Sequence, residues 1–375
     1  MNIEELSVEE KVGQMLMIGL DTPNAIDIVD DLILKYKIGG ILLYKKNYKN
    51  YEELVQLINY IKKINTANKV PMFIAIDQEG GRVNRMPKDL ENLPSASNLA
   101  NISEKEDFNL VKEAGEITGE MLNKFGINMN FAPVLDIKRF EDNHAIGDRA
   151  FSSNVNLVSK YGIDYMEALK NSKVISVIKH FPGHGATTKD SHFILPIIRK
   201  SITSIEKEDM VPFQKTIKKG ADALLVGHLL IKDETDRLPA TMSKKFITKY
   251  IRKRYRYKGL IITDDMRMRG VKLLFGKNRA VKRAFFAGND IILMKYGKDE
   301  KLIEKIIKEI KRNKLKEARV NRSVKRILNI KEKYDANNEE IMIDENFIND
   351  INNKIINIKN KFKSVGGQIY GKWFK

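Results

Sequence analysis

VISVIKHF at residues 174–181 is an apolar run, interrupted only by Ser176, that ends in Lys179 and His180. Continuous apolar runs of this length suit strands buried on both faces of a parallel sheet, whereas a strand with one wet face alternates. The pattern recurs in ADALLVGHL at 221–229 and GLIITDD at 259–265, each closing in a polar residue able to do chemistry. Working outward, residues 16–20, 40–44, 72–77, 130–137 and 290–294 complete eight candidate strands.

Helical spacing fills the intervals at 51–64, 104–125, 156–171, 204–219, 243–255 and 279–287, and Ser7 with Glu10 forms a capping box for a first short helix. Eight alternations of strand and helix predict an α/β fold, a single (β/α)8 TIM-type barrel, with a doubly wound open sheet as the alternative. A basic helical stretch at 298–334 closes the barrel. The barrel domain is therefore expected at 1–335, followed by an Asn/Lys-rich extension at 336–375 that is too short to form a domain of its own.

Composition narrows the chemistry. With 375 residues and 42% hydrophobic content, the chain is long enough for a large folded core. It has no cysteine, which excludes disulfides, thiolate catalysis, cysteine zinc sites and iron–sulfur clusters, and agrees with a reducing compartment. Glu4, Glu5, Glu9 and Glu10 stand where a secretory leader would carry cations, and no run approaches the length of a membrane span, so the expected location is the cytoplasm. The formal charge of +18 suits an anionic partner, but Lys is spread along the whole chain without a nucleic-acid module, so no nucleic-acid partner is expected. The tail gathers Lys359, Lys361, Lys363, Lys372 and Lys375 with Phe362, Tyr370, Trp373 and Phe374; contact with an anionic membrane is one reading of it, a solvated end the other.

In a barrel of this kind, functional groups stand at the C-terminal ends of the strands and in the loops that follow. Asp77 closes the third candidate strand and leads into Gln78, Glu79, Arg82 and Arg85; Asp136 closes the fourth, with His144 and Arg149 beyond it. Lys179 and His180 close the fifth, before His184, Asp190 and His192; His228 closes the sixth, and Asp264 and Asp265 the seventh. All five histidines thus follow barrel strands. Nucleophile-elbow, phosphate-loop and dinucleotide-binding motifs are absent. What remains is carboxylates, imidazoles and cations, which is the equipment of acetal cleavage. Convergence of His180, His184, His192 and Asp190 on a metal is the competing reading, but Pro182 and Gly183 put the first two on a turn rather than a helix face. Neither a metal nor a cofactor is called for.

The strings IDQEGGRVNR, NFAPVLDI, AIGDRAF, KHFPGHGATTKDSH and IITDDMRMRG, in this order, resemble the signature segments of family 3 glycoside hydrolases, in the bacterial β-N-acetylglucosaminidase branch. The resemblance runs from about Leu6 to Tyr334. It implies that Asp264 is the catalytic nucleophile, that His192 is the general acid/base paired with Asp190, and that Asp77, Arg85, Arg149, Lys179 and His180 grip the terminal sugar. Many members of the family add an α/β sandwich domain; none is expected here, so the proton donor must come from the barrel. A histidine donor needs imidazolium for one transfer and neutral imidazole for the next, which a pKa near about 6.5, raised by a carboxylate, allows near neutral pH. Gly183 and Gly185 leave two readings open, a loop that carries the donor in and out and a simple tight turn.

The resemblance implies a retaining exo-β-N-acetylglucosaminidase acting on an N-acetylglucosamine-containing oligosaccharide or muropeptide in peptidoglycan recycling. Its alternatives are a family 3 β-glucosidase, a chitooligosaccharide hexosaminidase, and a phosphorylase, since a neutral imidazole does not repel phosphate as a carboxylate would. Outside enzymes, the alternative is a catalytically silent glycan-binding barrel.

Overall fold

The computed structural model describes residues 2–106, 108–140, 143, 145–186, 195–231, 234–297 and 299–365. Eight parallel strands form the barrel: β1 Leu16–Gly19, β2 Gly40–Leu43, β3 Phe73–Ile76, β4 Met129–Asn130, β5 Ile175–Phe181, β6 Ala223–Val226, β7 Leu260–Thr263 and β8 Ile292–Lys295. They are hydrogen-bonded in chain order, with β8 also beside β1, in the register Leu16 to Ile292. A parallel bridge between Ile262 and Ile291 joins the remaining edges and closes the ring. Each strand has a counterpart among the eight runs read from the sequence.

The strand residues are almost all buried because helices cover the outside while side chains fill the lumen. Leu42, Phe131, Leu225 and Leu293, from β2, the end of β4, β6 and β8, are nearly inaccessible and line the floor of the cavity above. Their origin on alternate strands matches one packed layer of an eight-stranded barrel.

Local signals explain several helix boundaries. Ser7 caps Val8–Gln14 by accepting from the Glu10 N–H at 3.1 Å, while Glu10 accepts from the Ser7 N–H at 2.7 Å, the expected capping box. The span expected as one helix at 204–219 is two, Ile202–Lys207 and Val211–Lys218, because Pro212 cannot donate inside a helix and instead starts the second. The helix expected at 104–125 begins only at Leu110, a separate helix Ala96–Lys105 preceding it. β4 is shorter than expected, Pro133 having no N–H for the ladder; pairing with β5 resumes around Val134, where the Pro133 carbonyl accepts the Lys179 N–H at 3.2 Å and the Leu135 N–H reaches the Lys179 carbonyl at 2.7 Å.

At the opposite end of the barrel from that cavity, Lys331 of helix Lys314–Lys333 is fully buried. Its ammonium donates to Gln14 Oε1 at 2.7 Å and to the carbonyls of Gly39 at 2.9 Å and Pro71 at 2.6 Å, tying together the entrances to β1, β2 and β3. The extension contains the helix Glu345–Val365, which the sequence reading did not mark. Ile348, Ile351, Ile355, Ile358 and Phe362 form its buried stripe, part of the main hydrophobic core, and it packs on helix Leu110–Lys124. Lys354 pairs with Glu120 at 2.8 Å, Lys361 with Glu113 at 2.7 Å and Lys359 with Glu91, so these parts of the basic tail are spent on the barrel wall. The aromatic residues from Tyr370 onward lie outside the described residues. Among the described residues no helix is long and apolar enough to cross a membrane.

Candidate active site

A cavity of about 620 Å³ opens at the C-terminal ends of the strands. Asp77, Arg85, Arg149, Lys179, His180 and Asp264 all line it. Six of the eight site residues expected from the sequence, scattered over nearly 190 positions, are therefore brought to one place. The other two, Asp190 and His192, lie outside the described residues, as does His144.

Asp264 directly follows β7. Its backbone N–H reaches the Val226 carbonyl at 2.9 Å, fixing the strand end, and its Oδ1 accepts the Asp265 N–H at 2.8 Å. Asp265 lines the cavity as well, and its Oδ1 accepts the N–H groups of Arg267 at 2.9 Å and Lys295 at 3.2 Å. Burial foremost, with the neighbouring Asp264 charge adding, pushes the Asp265 carboxyl above the ordinary range. Both acids of the pair line the cavity, and Asp265 in addition braces the loop through these two N–H groups.

His228, which closes the sixth candidate strand, is buried and structural. Nδ1 meets Thr241 Oγ1 at 2.8 Å and Nε2 meets the Asp265 carbonyl at 2.9 Å, so the ring supports the loop that carries Asp264.

On the β3–β5 side the polar groups form a closed network. Lys179 donates to Asp77 Oδ1 at 2.8 Å and is paired with Glu79. Arg149 grips Glu79 in a fork, Nε to Oε2 and Nη2 to Oε1 both at 2.8 Å, and its Nη1 reaches the Ala145 carbonyl at 2.8 Å. Burial opposes ionisation of Glu79, but Arg149 and Lys179 more than offset it and hold the carboxyl well below the usual range. Arg85 is held through its backbone, N–H to Gln78 Oε1 at 2.8 Å and carbonyl to the Tyr48 hydroxyl at 2.9 Å, while its buried Nε has no hydrogen-bond partner among the described residues.

His180 is anchored by Asp136, a fully buried carboxylate at the end of the β4 segment. Oδ2 meets Nδ1 at 2.7 Å, and Oδ1 accepts the His184 N–H at 2.5 Å. Burial works against the Asp136 charge, yet His180 and the His184 N–H lower its pKa. The Lys179–His180 and Phe181–Pro182 peptides are both cis. The following turn is tight: Gly183 has φ 126°, and a Cβ on Gly185 would come within 2.1 Å of the Ile137 carbonyl oxygen. The residues that carry the loop onward, 187–194, lie outside the described ones.

Glu79 and Asp136 were present in the sequence motifs but received no role there. Nothing local signals that Glu79 turns to Arg149, 70 positions away. Among the described residues no group of three or more His, Asp or Glu is placed to hold a metal ion.

The site is thus a cavity at the strand ends of a closed parallel barrel, lined by carboxylates, imidazoles and paired cations. The chain belongs to glycosyl hydrolase family 3: the N-terminal domain of that family matches residues 7–330. Beta-hexosaminidase A of Pseudoalteromonas piscicida is 31% identical over 340 residues, 84% of this chain but 56% of that protein. The beta-hexosaminidase of Nitrosospira multiformis is 32% identical over 260 residues, 68% of this chain and 73% of that one. A family 3 beta-N-acetylglucosaminidase from Paenibacillus sp. str. FPU-7 superimposes with a TM-score of 0.86 at 29% identity, covering 95% of this chain and 69% of that one. The chain thus spans little more than half the length of the Pseudoalteromonas relative.

Proposed function

We propose that the chain is a retaining exo-β-N-acetylglucosaminidase that removes the non-reducing terminal N-acetylglucosamine from peptidoglycan fragments in the cytoplasm. The observation that carries this reading is the convergence of Asp264 with Asp77, Lys179, Arg149 and His180 on one cavity in a family 3 barrel, together with relatives named beta-hexosaminidase.

In the first step the Asp264 carboxylate attacks the anomeric carbon. The glycosidic C–O bond breaks, and the leaving oxygen takes a proton from the His192 imidazolium, with Asp190 as its partner. In the second step water attacks the same carbon, gives its proton to the neutral imidazole and frees Asp264, so configuration is retained. Asp77 supplies acceptors to the sugar hydroxyls, and Arg85, Arg149, Lys179 and His180 supply donors. The apolar floor of Leu42, Phe131, Leu225 and Leu293 suits one sugar face and keeps the reacting bond out of bulk water.

The test is turnover of 4-nitrophenyl N-acetyl-β-glucosaminide against 4-nitrophenyl β-glucoside, first without phosphate and then with it. The reading predicts release from the acetamido substrate without phosphate. Preference for the plain glucoside, an absolute need for phosphate, or binding without turnover would each contradict it.

A further inference from the structure

We infer that the helix pair following Asp264 is a docking surface for an anionic phospholipid bilayer, which holds the mouth of the cavity at a membrane surface. The inference concerns the outer face of the barrel and does not depend on which glycoside is cleaved.

Charge is placed unevenly on this chain. Residues 237–289 carry sixteen Lys and Arg but two acids, Asp264 and Asp265, both at the end of β7 and on the cavity. From Met266 to Asn289 there are seven cations and no acid. Carboxylates from elsewhere meet three of the seven: Asp299 pairs with Arg267 and, at 3.3 Å, with Lys277, and Glu309 pairs with Lys282. Arg269, Lys272, Arg279 and Arg283 form no ion pair among the described residues.

The same stretch exposes apolar groups. Helix Arg269–Phe275 buries Val271 in the core and presents Leu273 and Leu274 to solvent, 67% and 62% exposed, with exposed Lys272 beside them. The corner into helix Lys277–Ala287 stands clear of the rest of the molecule: Gly276 has φ 70°, and a Cβ built on it would meet nothing within 4 Å. Alongside the second helix runs a groove of about 540 Å³ with Leu238, Met242 and Phe286 in its lining. Lys244, Arg279, Lys282, Arg283 and Lys316 ring it against Asp236 and Glu309, and Glu309 already holds Lys282 and Lys316.

A single exposed leucine carries no message, but two neighbours at a projecting corner within a cationic surround can enter the headgroup region while Lys and Arg stay at the phosphates. A soluble polyanion would engage the cations and leave the leucines in water, so lipid is the occupant that uses both. The corner also adjoins the site. Arg267, Met268 and Arg269 line the cavity, and Leu273 lies one helical turn beyond Arg269, about 6 Å of rise. Docking therefore brings the cavity mouth to the bilayer, where a glycan carried at that surface meets Asp264.

The experiment is co-sedimentation of the full chain with vesicles of phosphatidylcholine, alone or mixed with phosphatidylglycerol. Wild type is expected to sediment with the mixed vesicles, to be released by high salt and to ignore phosphatidylcholine alone. The variant Leu273→Ser with Leu274→Ser keeps every cation and the whole basic tail, and should bind about tenfold more weakly or worse. Lys272→Gln with Arg279→Gln and Arg283→Gln should lose about a hundredfold, at roughly fivefold per cation. Turnover of a soluble aryl glycoside should be unchanged in both, because none of these residues lines the cavity.

No binding to the mixed vesicles, equal binding to both compositions, or undiminished binding by the leucine variant overturns the inference; the last would mean that charge alone acts, as on an acidic polymer or protein. Should the leucine variant fail to fold, wild-type binding by the triple cation variant overturns it instead. A wild type that binds as expected but cleaves neither glycoside supports the docking surface and counts against the proposed function alone.

Discussion

Asp136 and His180 are joined twice: the same carboxylate oxygen meets the ring Nδ1 at 2.7 Å and the backbone N–H at 3.2 Å. A carboxylate acceptor requires the proton on Nδ1, which leaves Nε2 as the nitrogen available to a ligand in the cavity. Asp136→Asn replaces that acceptor by a group that can present either an oxygen or an amide N–H to the ring. Loss of a hydrogen bond to a charged group costs about 1.5–3 kcal/mol, so kcat/KM should fall roughly tenfold to a hundredfold. Steady-state kinetics on a protein with near-native circular dichroism checks this; unchanged kcat/KM would mean that the tautomer of His180 is immaterial.

His184 gives stability a dependence on pH. Burial, the largest influence on it, lowers its pKa below the ordinary imidazole value. On acidification from neutrality the unfolded chain therefore takes up a proton at this residue before the folded one does, and stability falls with pH below about 6.5. Asp136 and Glu79, both with lowered pKa values, stay ionised in that window and withdraw their contributions only at lower pH. Thermal melting between about pH 7.5 and pH 5 should show a falling Tm in the wild type and a flatter profile in His184→Gln. Parallel profiles would remove His184 as the source.

The barrel was legible because its strands are buried on both faces, which writes each of them as an apolar run ending in a polar residue. β5 is the clearest case, from Ile175 to its closing Lys179 and His180. Where sequence patterning misled, the deciding information was a single backbone group or a tertiary neighbour. The helical spacing at 204–219 runs straight across the break before Pro212, and the residues at 130–137 read as a full strand although Pro133 interrupts the ladder. The helix Glu345–Val365 has a regular apolar stripe, but its Asn-rich composition hid it until helix Leu110–Lys124 supplied the surface that covers it. At the site, residues at strand ends were recognisable individually. Their partners were not, since Arg149 finds Glu79 and His180 finds Asp136 only when the ring closes.

Lys331 is a test of the barrel's other end. Its three acceptors, Gln14 Oε1 and the carbonyls of Gly39 and Pro71, would all lose their donor in Lys331→Met. Methionine fills similar space, so the change isolates the polar loss, with an expected destabilisation of about 3 kcal/mol. Urea unfolding should show it, while kcat/KM at a temperature where the variant is folded should stay near the wild-type value. A variant of undiminished stability would mean that those acceptors find other donors.

The role proposed for His192 separates substrates by their leaving groups. An aryl oxygen departs with little protonation, a sugar hydroxyl does not. His192→Ala should therefore lose about a hundredfold or more on an oligosaccharide and much less on the aryl glycoside. Equal losses on both would contradict a proton donor at that position.

The covalent step at Asp264 is tested most directly by trapping. Incubation with a 5-fluoro N-acetylglucosaminyl donor, which slows the second step more than the first, followed by peptic digestion and mass spectrometry, should find one sugar mass on the peptide that contains Asp264. The Asp264→Ala protein should carry none and should have lost essentially all turnover. An adduct on another residue, or full turnover by wild type with no adduct and an inverted product, would contradict Asp264 as the nucleophile.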